Sequence, residues 1–391
     1  MPRHVRVGGD VNIVENNITN TLTCNIFTSS VSKIPDVTSL PTVDETSISC
    51  DMTGFSGGVL GYDGKIYCVP YEDRATAIGI IDPVNNTFDS SSIKLPLSVS
   101  TLDNKWVGGV LAPSGEIYCA PFQAEDILVI NPYNKTIRFI NTPVNSCRGG
   151  TLGPDGIIYF SRAPGNSPND HFVKVDTRTD TVTRVSSTVY NKTYLGCCLA
   201  ADSNIYAFPR GYGSSNIAVL DYATDTISFP SWLEPLQSII KDRGMAGGTL
   251  GYNSNVYICP LVTNGGNRMI ELDPANQAFT AFDVGVLNVY PDIDVTQWTA
   301  FTGAVNGRDN RVYFIPRNRN VVVAVMYIDT TTRQLGAIRR SVVGGYFGGV
   351  LAPNGKIYCI PNDIQTQYVL TIIPGMSSGP DWPLGPVHNK F

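Results

Sequence analysis

The chain has 391 residues, 42% of them hydrophobic and only 16% charged, with a formal net charge of −5. That balance supports a globular core and lacks the basic footprint of a nucleic-acid binder or of a protein held on an anionic membrane. No apolar run approaches the ~20 residues of a membrane helix, and the start Met1-Pro2-Arg3-His4 has no signal-peptide stretch, so cytoplasmic synthesis without export is expected.

In chain order, residues 1–24 form an N-terminal arm. From Arg6 to Phe27 polar and apolar residues alternate without a lysine and without a core of their own. Such a segment is unstable alone and seeks pairing with another chain or with another part of the fold.

Residues 25–375 are organised by a repeat. One phrase returns seven times: GGVLGYDGKIYCVP (Gly57 to Pro70), GGVLAPSGEIYCAP (Gly108 to Pro121), GGTLGPDGIIYFSR (Gly149 to Arg162), GCCLAADSNIYAFP (Gly196 to Pro209), GGTLGYNSNVYICP (Gly247 to Pro260), TGAVNGRDNRVYFIP (Thr302 to Pro316) and GGVLAPNGKIYCIP (Gly348 to Pro361). The spacing is about 48 residues. A second phrase follows in each unit, as in IGIIDPVNNTF (Ile78 to Phe88) and ILVINPYNKTI (Ile127 to Ile137). Each unit therefore predicts four strands: the Gly-Gly run, the Ile-Tyr run after a turn, an apolar run ending at Asp or Asn, and a Thr-rich run after a β-turn. Only Trp232 to Lys241 suggests a helix.

Four strands repeated seven times predict an all-β fold, a seven-bladed β-propeller of four-stranded blades. A linear solenoid would leave apolar ends, whereas a closed ring buries every blade between two neighbours. Gly-Gly lets the innermost strands crowd the axis, and Tyr67, Tyr118, Tyr159, Tyr206, Tyr257, Tyr313 and Tyr358 wedge between blades. The last repeat runs into a Pro-rich tail, residues 376–391, before a fourth strand can form. The N-terminal side is expected to complete that blade, with Val37-Thr38-Ser39-Leu40-Pro41 as the segment that matches Ile93 to Pro96 ahead of the next repeat. Cys68, Cys119, Cys259 and Cys359 fall at one repeat position on separate units, which reads as buried thiols in a chain made in a reducing compartment.

The phrase Gly153-Pro154-Asp155-Gly156-Ile157-Ile158-Tyr159-Phe160 resembles the blade signature of the streptogramin-lyase and lactonase-like propellers. The resemblance extends as a repeat pattern over residues 36–375 and implies the propeller fold. In the lyases, catalysis rests on hub histidines with acidic residues and Mg²⁺; this chain has only His4, His171 and His388, none paired on the repeat. No catalytic residue is carried over. The arm is similar in style to attachment segments of phage and large-virus fibre proteins, which implies a virion surface or attachment role.

Candidate binding residues come from two places. The pairs before each Gly-Gly, expected to open onto the hub, are Phe55-Ser56, Trp106-Val107, Cys147-Arg148, Tyr194-Leu195, Met245-Ala246, Ala300-Phe301 and Tyr346-Phe347. The loops after strand two supply Tyr71, Arg74, Phe122, Arg162, Arg210, Tyr212 and Arg317. With Trp106, Arg148, Tyr194 and Tyr346 these make the candidate set, because aromatics mixed with arginine stack on sugar rings or anchor a protein interface. The expected function is a non-enzymatic binding or structural module, a virion surface protein recognising a glycan or protein partner, with no nucleic acid, no membrane insertion, and assembly through residues 1–24. No cofactor is expected. The alternatives are a metal-dependent lactonase- or lyase-like enzyme, with Ca²⁺ or another divalent cation in the hub held by Glu72, Asp73, Glu125, Asp126 and Asp363, and an intracellular protein-interaction scaffold.

Overall fold

The computed structural model describes residues 4–7, 11–14, 40–142, 146–162, 170–187, 193–210, 216–240, 244–260, 268–289, 301–317 and 324–375. Seven antiparallel sheets of four strands occupy residues 55–89, 106–141, 147–186, 194–228, 245–283, 301–338 and 346–373, the last completed from the N-terminal side. The first strand of each blade touches the first strand of the next, and the series closes between Tyr346–Leu351 and Phe55–Leu60. The chain is a seven-bladed β-propeller.

The closing strand is Thr42–Asp44, paired antiparallel with Thr371–Ile373. This corrects the expected segment, Val37 to Pro41, whose first three residues lie outside the described ones. The template was at fault: in blade 1 the fourth strand is Thr87–Asp89, and the Ile93 to Pro96 stretch only bridges back to Ala77 beyond it. Glu45, one residue past the closing strand, accepts hydrogen bonds from Ser341 N (2.7 Å), Ser341 Oγ (2.6 Å) and Val342 N (3.2 Å), and pairs with Arg340 Nε at 3.3 Å. In the arm, His4–Val7 and Val11–Val14 pair with each other as a hairpin.

The expected helix is a 3₁₀ turn, Ser231–Leu233, followed by a short helix, Leu236–Ile240. Two more short helical segments, Leu97–Ser100 and Val284–Val289, carry no periodic sequence signal. Of the eight described cysteines, all but Cys50 are buried.

All seven repeat tyrosines are at most 3% exposed, each adding about 2 kcal/mol of apolar burial. Their hydroxyls are anchored four residues back, in the turn before strand two. Tyr67, Tyr159, Tyr206 and Tyr313 donate to Asp63, Asp155, Asp202 and Asp309 at 2.6 to 2.9 Å, while Asn253 and Asn354 donate to Tyr257 and Tyr358. Blade 2 has Ser114 at that position, and Tyr118 donates instead to Asp180 of blade 3 at 2.9 Å. One blade buries its anchor completely: the Asp309 side chain is 0% exposed and also accepts from Arg311 and from the backbone of Gly375. Tyr313→Phe is therefore expected to cost about 2 kcal/mol, and Tyr159→Phe, whose Asp155 reaches solvent, about half of that. Urea unfolding of the two variants side by side checks the order.

Candidate functional site

The two faces of the ring differ in their connections. Strands one and two, and strands three and four, are joined by tight turns on one face, closed in blade 1 by Gly61 N to Lys65 O (2.8 Å) and by Val84 N to the Asp82 carboxylate (2.9 Å). The longer connections, from strand two to three and from strand four to the next blade, lie on the opposite face, which is where loops carry function.

On that face the Gly-Gly motif has two separate roles. The first glycine has φ between 65° and 84° in every blade, at a register break between strands one and two. It is a β-bulge, and a bulge turns the adjacent side chain away from the pleat. The second glycine makes room for the preceding blade: a Cβ on Gly58 would stand 2.6 Å from Ile360 Cδ1, and one on Gly349 2.8 Å from Ile315 Cδ1. Crowding at the axis thus accounts for neither glycine.

The bulge also splits the residue pairs expected to face the hub together. Trp106, Tyr194 and Tyr346, with Phe55 and Met245, lie fully buried in the seams between blades. Trp106 Nε1 donates to Asp126 O at 2.8 Å and its ring stacks on Phe139, and Tyr346 Oη donates to Tyr368 O. The second member of each pair faces the axis: Ser56, Val107, Arg148, Leu195, Ala246, Thr302 and Phe347. In blade 6 the pair shifts by one residue from the expected Ala300-Phe301 to Phe301-Thr302, because Gly303 carries the bulge and Phe301 is paired with Pro316. Val107, Leu195, Ala246 and Phe347 come from four blades into one apolar cluster, the floor of the hub, and Tyr71 and Phe122 pack on it.

The residue that follows strand two forms the rim: Tyr71, Phe122, Arg210, Arg317 and Asn362 among the described residues. A backbone relay sets its positions. Asn362 N donates to Gly345 O, Gly54 N to Asn362 O, Tyr71 N to Gly54 O, Lys105 N to Tyr71 O, Phe122 N to Lys105 O and Ser146 N to Phe122 O, all at 2.8 to 3.1 Å. Lys105, which is wholly buried, adds Nζ bonds to Glu72 O (2.5 Å), Leu102 O (2.8 Å) and Ser100 O (3.4 Å).

Arg148 stands at the centre of this arrangement. Its guanidinium lies 3.8 Å from the centroid of Phe122, and Arg317 lies 4.9 Å from that of Phe347, which is itself tilted against Tyr71 at 6.3 Å. Burial, then the charge of Arg210, pull Arg148 down to about 9, with Tyr71 opposing and Arg317 adding to the effect. The Arg148 side chain of blade 3 thus lies on Phe122 of blade 2, which itself packs on the apolar floor.

Other expected residues serve the fold. Arg74 donates to Asn362 O (2.9 Å) and Thr53 Oγ1 (3.2 Å) and pairs with Glu72, bracing blade 1 against blade 7. Arg162 is buried at the end of its strand, where the other blades have proline. Tyr212 lies outside the described residues. Among the described residues no three of His, Cys, Asp and Glu stand together as a metal-binding group. The seven axis-facing positions hold no carboxylate or imidazole and do hold an arginine, so those positions by themselves offer a divalent cation no ligand set; the expected ligands Glu72, Asp73, Glu125, Asp126 and Asp363 lie outside them.

No family profile matches the chain, and no curated protein matches it in sequence. Solved structures do match it. A streptogramin B lyase superposes with a TM-score of 0.64 at 14% identity, over 85% of this chain and 97% of that one. A virginiamycin B lyase from Staphylococcus aureus gives 0.64 at 15%, over 85% and 99%. The extracellular domain of a hybrid two-component system from B. thetaiotaomicron gives 0.59 at 11%, over 85% of this chain and 42% of that one. The likeness is one of fold. It spans two lyases and the extracellular domain of a two-component system, so the fold by itself assigns no function.

Sequence reasoning named Tyr71, Phe122, Arg148, Arg210 and Arg317; the structure brings Tyr71, Phe122, Arg148 and Arg317 to the hub cluster and its rings, and Arg210 stands exposed at the equivalent position after strand two of its blade. It missed Lys105 as an organiser of the rim, and it placed Phe347 at the hub without including it in the candidate set. The signal for Lys105 was an isolated cation just ahead of an apolar inner strand.

Proposed function

We propose that the chain is a non-enzymatic binding module that recognises a glycan or protein ligand at the mouth of its hub, on the long-loop face. The observation that carries this reading is the convergence of Tyr71, Phe122, Arg148, Arg317 and Phe347, drawn from five blades, on one apolar floor. Half-buried aromatics held by a rigid backbone relay suit recognition, since little freedom is lost when a ligand docks. The enzymatic alternative has the fold in its favour and the axis-facing donor set against it. The virion form of the reading adds that residues 1–24 anchor the ring in an assembly.

A glycan array probed with the full chain tests the site. Combined Tyr71→Ala and Phe122→Ala substitution is expected to weaken binding by ~10-fold or more. Trp232→Ala, in a groove of about 570 Å³ on the tight-turn side between blades 4 and 5, should leave binding unchanged. Equal signals from the wild type and the double variant would refute the hub as the binding site.

A further inference from the structure

The hub mouth gathers positive charge in a chain whose net charge is −5. Arg148 is 8% exposed, and its Nε is buried without a hydrogen-bond partner. Among the described residues neither Arg148 nor Arg210 forms an ion pair, although Arg138, Arg311, Arg333 and Arg340 each meet a carboxylate elsewhere in the molecule. The charges of Arg210 and Arg317 act on Arg148 from across the ring. Holding like charges together over an apolar floor is costly unless a counter-charge sits among them.

The geometry is also prepared. Stacking on Phe122 fixes the plane of the Arg148 guanidinium, so its N–H edge is oriented before anything binds. The floor of Val107, Leu195, Ala246 and Phe347 keeps water from beneath it, which strengthens a charge-assisted hydrogen bond.

We propose, resting on the binding reading above, that the group this site recognises is an oxyanion carried by the ligand, with Arg148 as the central donor and Arg210 and Arg317 beside it. Tyr71 and Phe347 would take the apolar or sugar-ring part next to the anion. Carboxylate, sulfate and phosphate share this chemistry.

The test titrates the full chain with sodium glucuronate, glucose 6-sulfate and glucose 6-phosphate, against glucose and sodium chloride at matched ionic strength, by calorimetry and by thermal shift. At least one anion is expected to bind with a Kd of about 1 mM or tighter and to raise Tm, and the arm that does so names the source. Arg148→Met, which keeps the packing on Phe122, should weaken that binding by ~10-fold or more and abolish the shift. Without ligand it should unfold no earlier than the wild type, because a buried uncompensated charge has been removed. Should that variant not fold, Arg210→Gln is expected to weaken binding by about 3-fold or more. No anion acting beyond glucose and chloride, or an undiminished shift in the variants, would overturn the inference. Array binding that still depends on Tyr71 and Phe122 in that case would leave the binding reading standing; loss of both results would remove both.

Discussion

A chain lacking residues 1–46 is expected to unfold roughly 10 °C or more below the full-length protein, whereas one lacking residues 1–24 should unfold within a few degrees of it. The larger deletion removes Thr42–Asp44, so Thr371–Ile373 becomes an open edge, and it removes Glu45 as well. Arg340, whose side chain is 0% exposed, then loses its carboxylate, and the Ser341 and Val342 amides lose their acceptor. Glu45→Ala alone should cost about 3–5 kcal/mol, the range for breaking a buried pair from one side. Calorimetry on the full-length protein, the 1–46 deletion and Glu45→Ala separates strand from ion pair. Light scattering on the 1–24 deletion reports assembly: an oligomeric full chain and a monomeric truncation would support the arm as an anchor, and two monomers would remove that part of the proposal.

Lys105→Met is expected to cost about 3 kcal/mol at pH 7 and to weaken ligand binding at the hub. The substitution removes the donor shared by Glu72 O, Ser100 O and Leu102 O, just where the backbone of Lys105 ties Tyr71 to Phe122. Burial pulls the Lys105 ammonium down to about 8, against the upward pull of Asp73, Asp103 and Glu72. The sign of the pH effect follows from that depression. Between about pH 8 and the ordinary lysine value of ~10.4 the unfolded chain holds this proton and the folded one releases it, so the wild type gains stability relative to the variant as pH rises through that window. The neutral amine keeps only two N–H groups for three carbonyls, which limits the gain. Denaturant melts of both proteins at pH 7 and pH 10 decide the matter; a variant as stable as the wild type at both would show that the carbonyls find other donors.

The ring was legible because its repeat states each blade's strands, turns and wedge tyrosine in the same order. The hub was legible only in part. A period of two cannot show which of Cys147 and Arg148 faces the axis once a bulge adds a residue, and positive φ at Gly149 is a backbone fact. The arginines were hard to group for a different reason. Arg148 precedes a Gly-Gly while Arg210 and Arg317 follow a strand-two proline, so no single repeat position brings them together. The tyrosine anchors were open to reading, since Asp or Asn stands four residues before the tyrosine in six of the seven units. Blade 2 hid the rule by borrowing Asp180 from its neighbour.

Because Thr42–Asp44 pairs with Thr371–Ile373, the first blade-forming residues to leave the ribosome wait for nearly the last. At roughly 10 residues per second, that interval is about half a minute. During it blades one to six are completed in turn, and the seventh gains its inner strands only in the last few seconds. The nascent chain spends that time as an open arc with two unprotected ends, and a faulty copy would exchange its first strand with a neighbouring chain emerging from the same polysome.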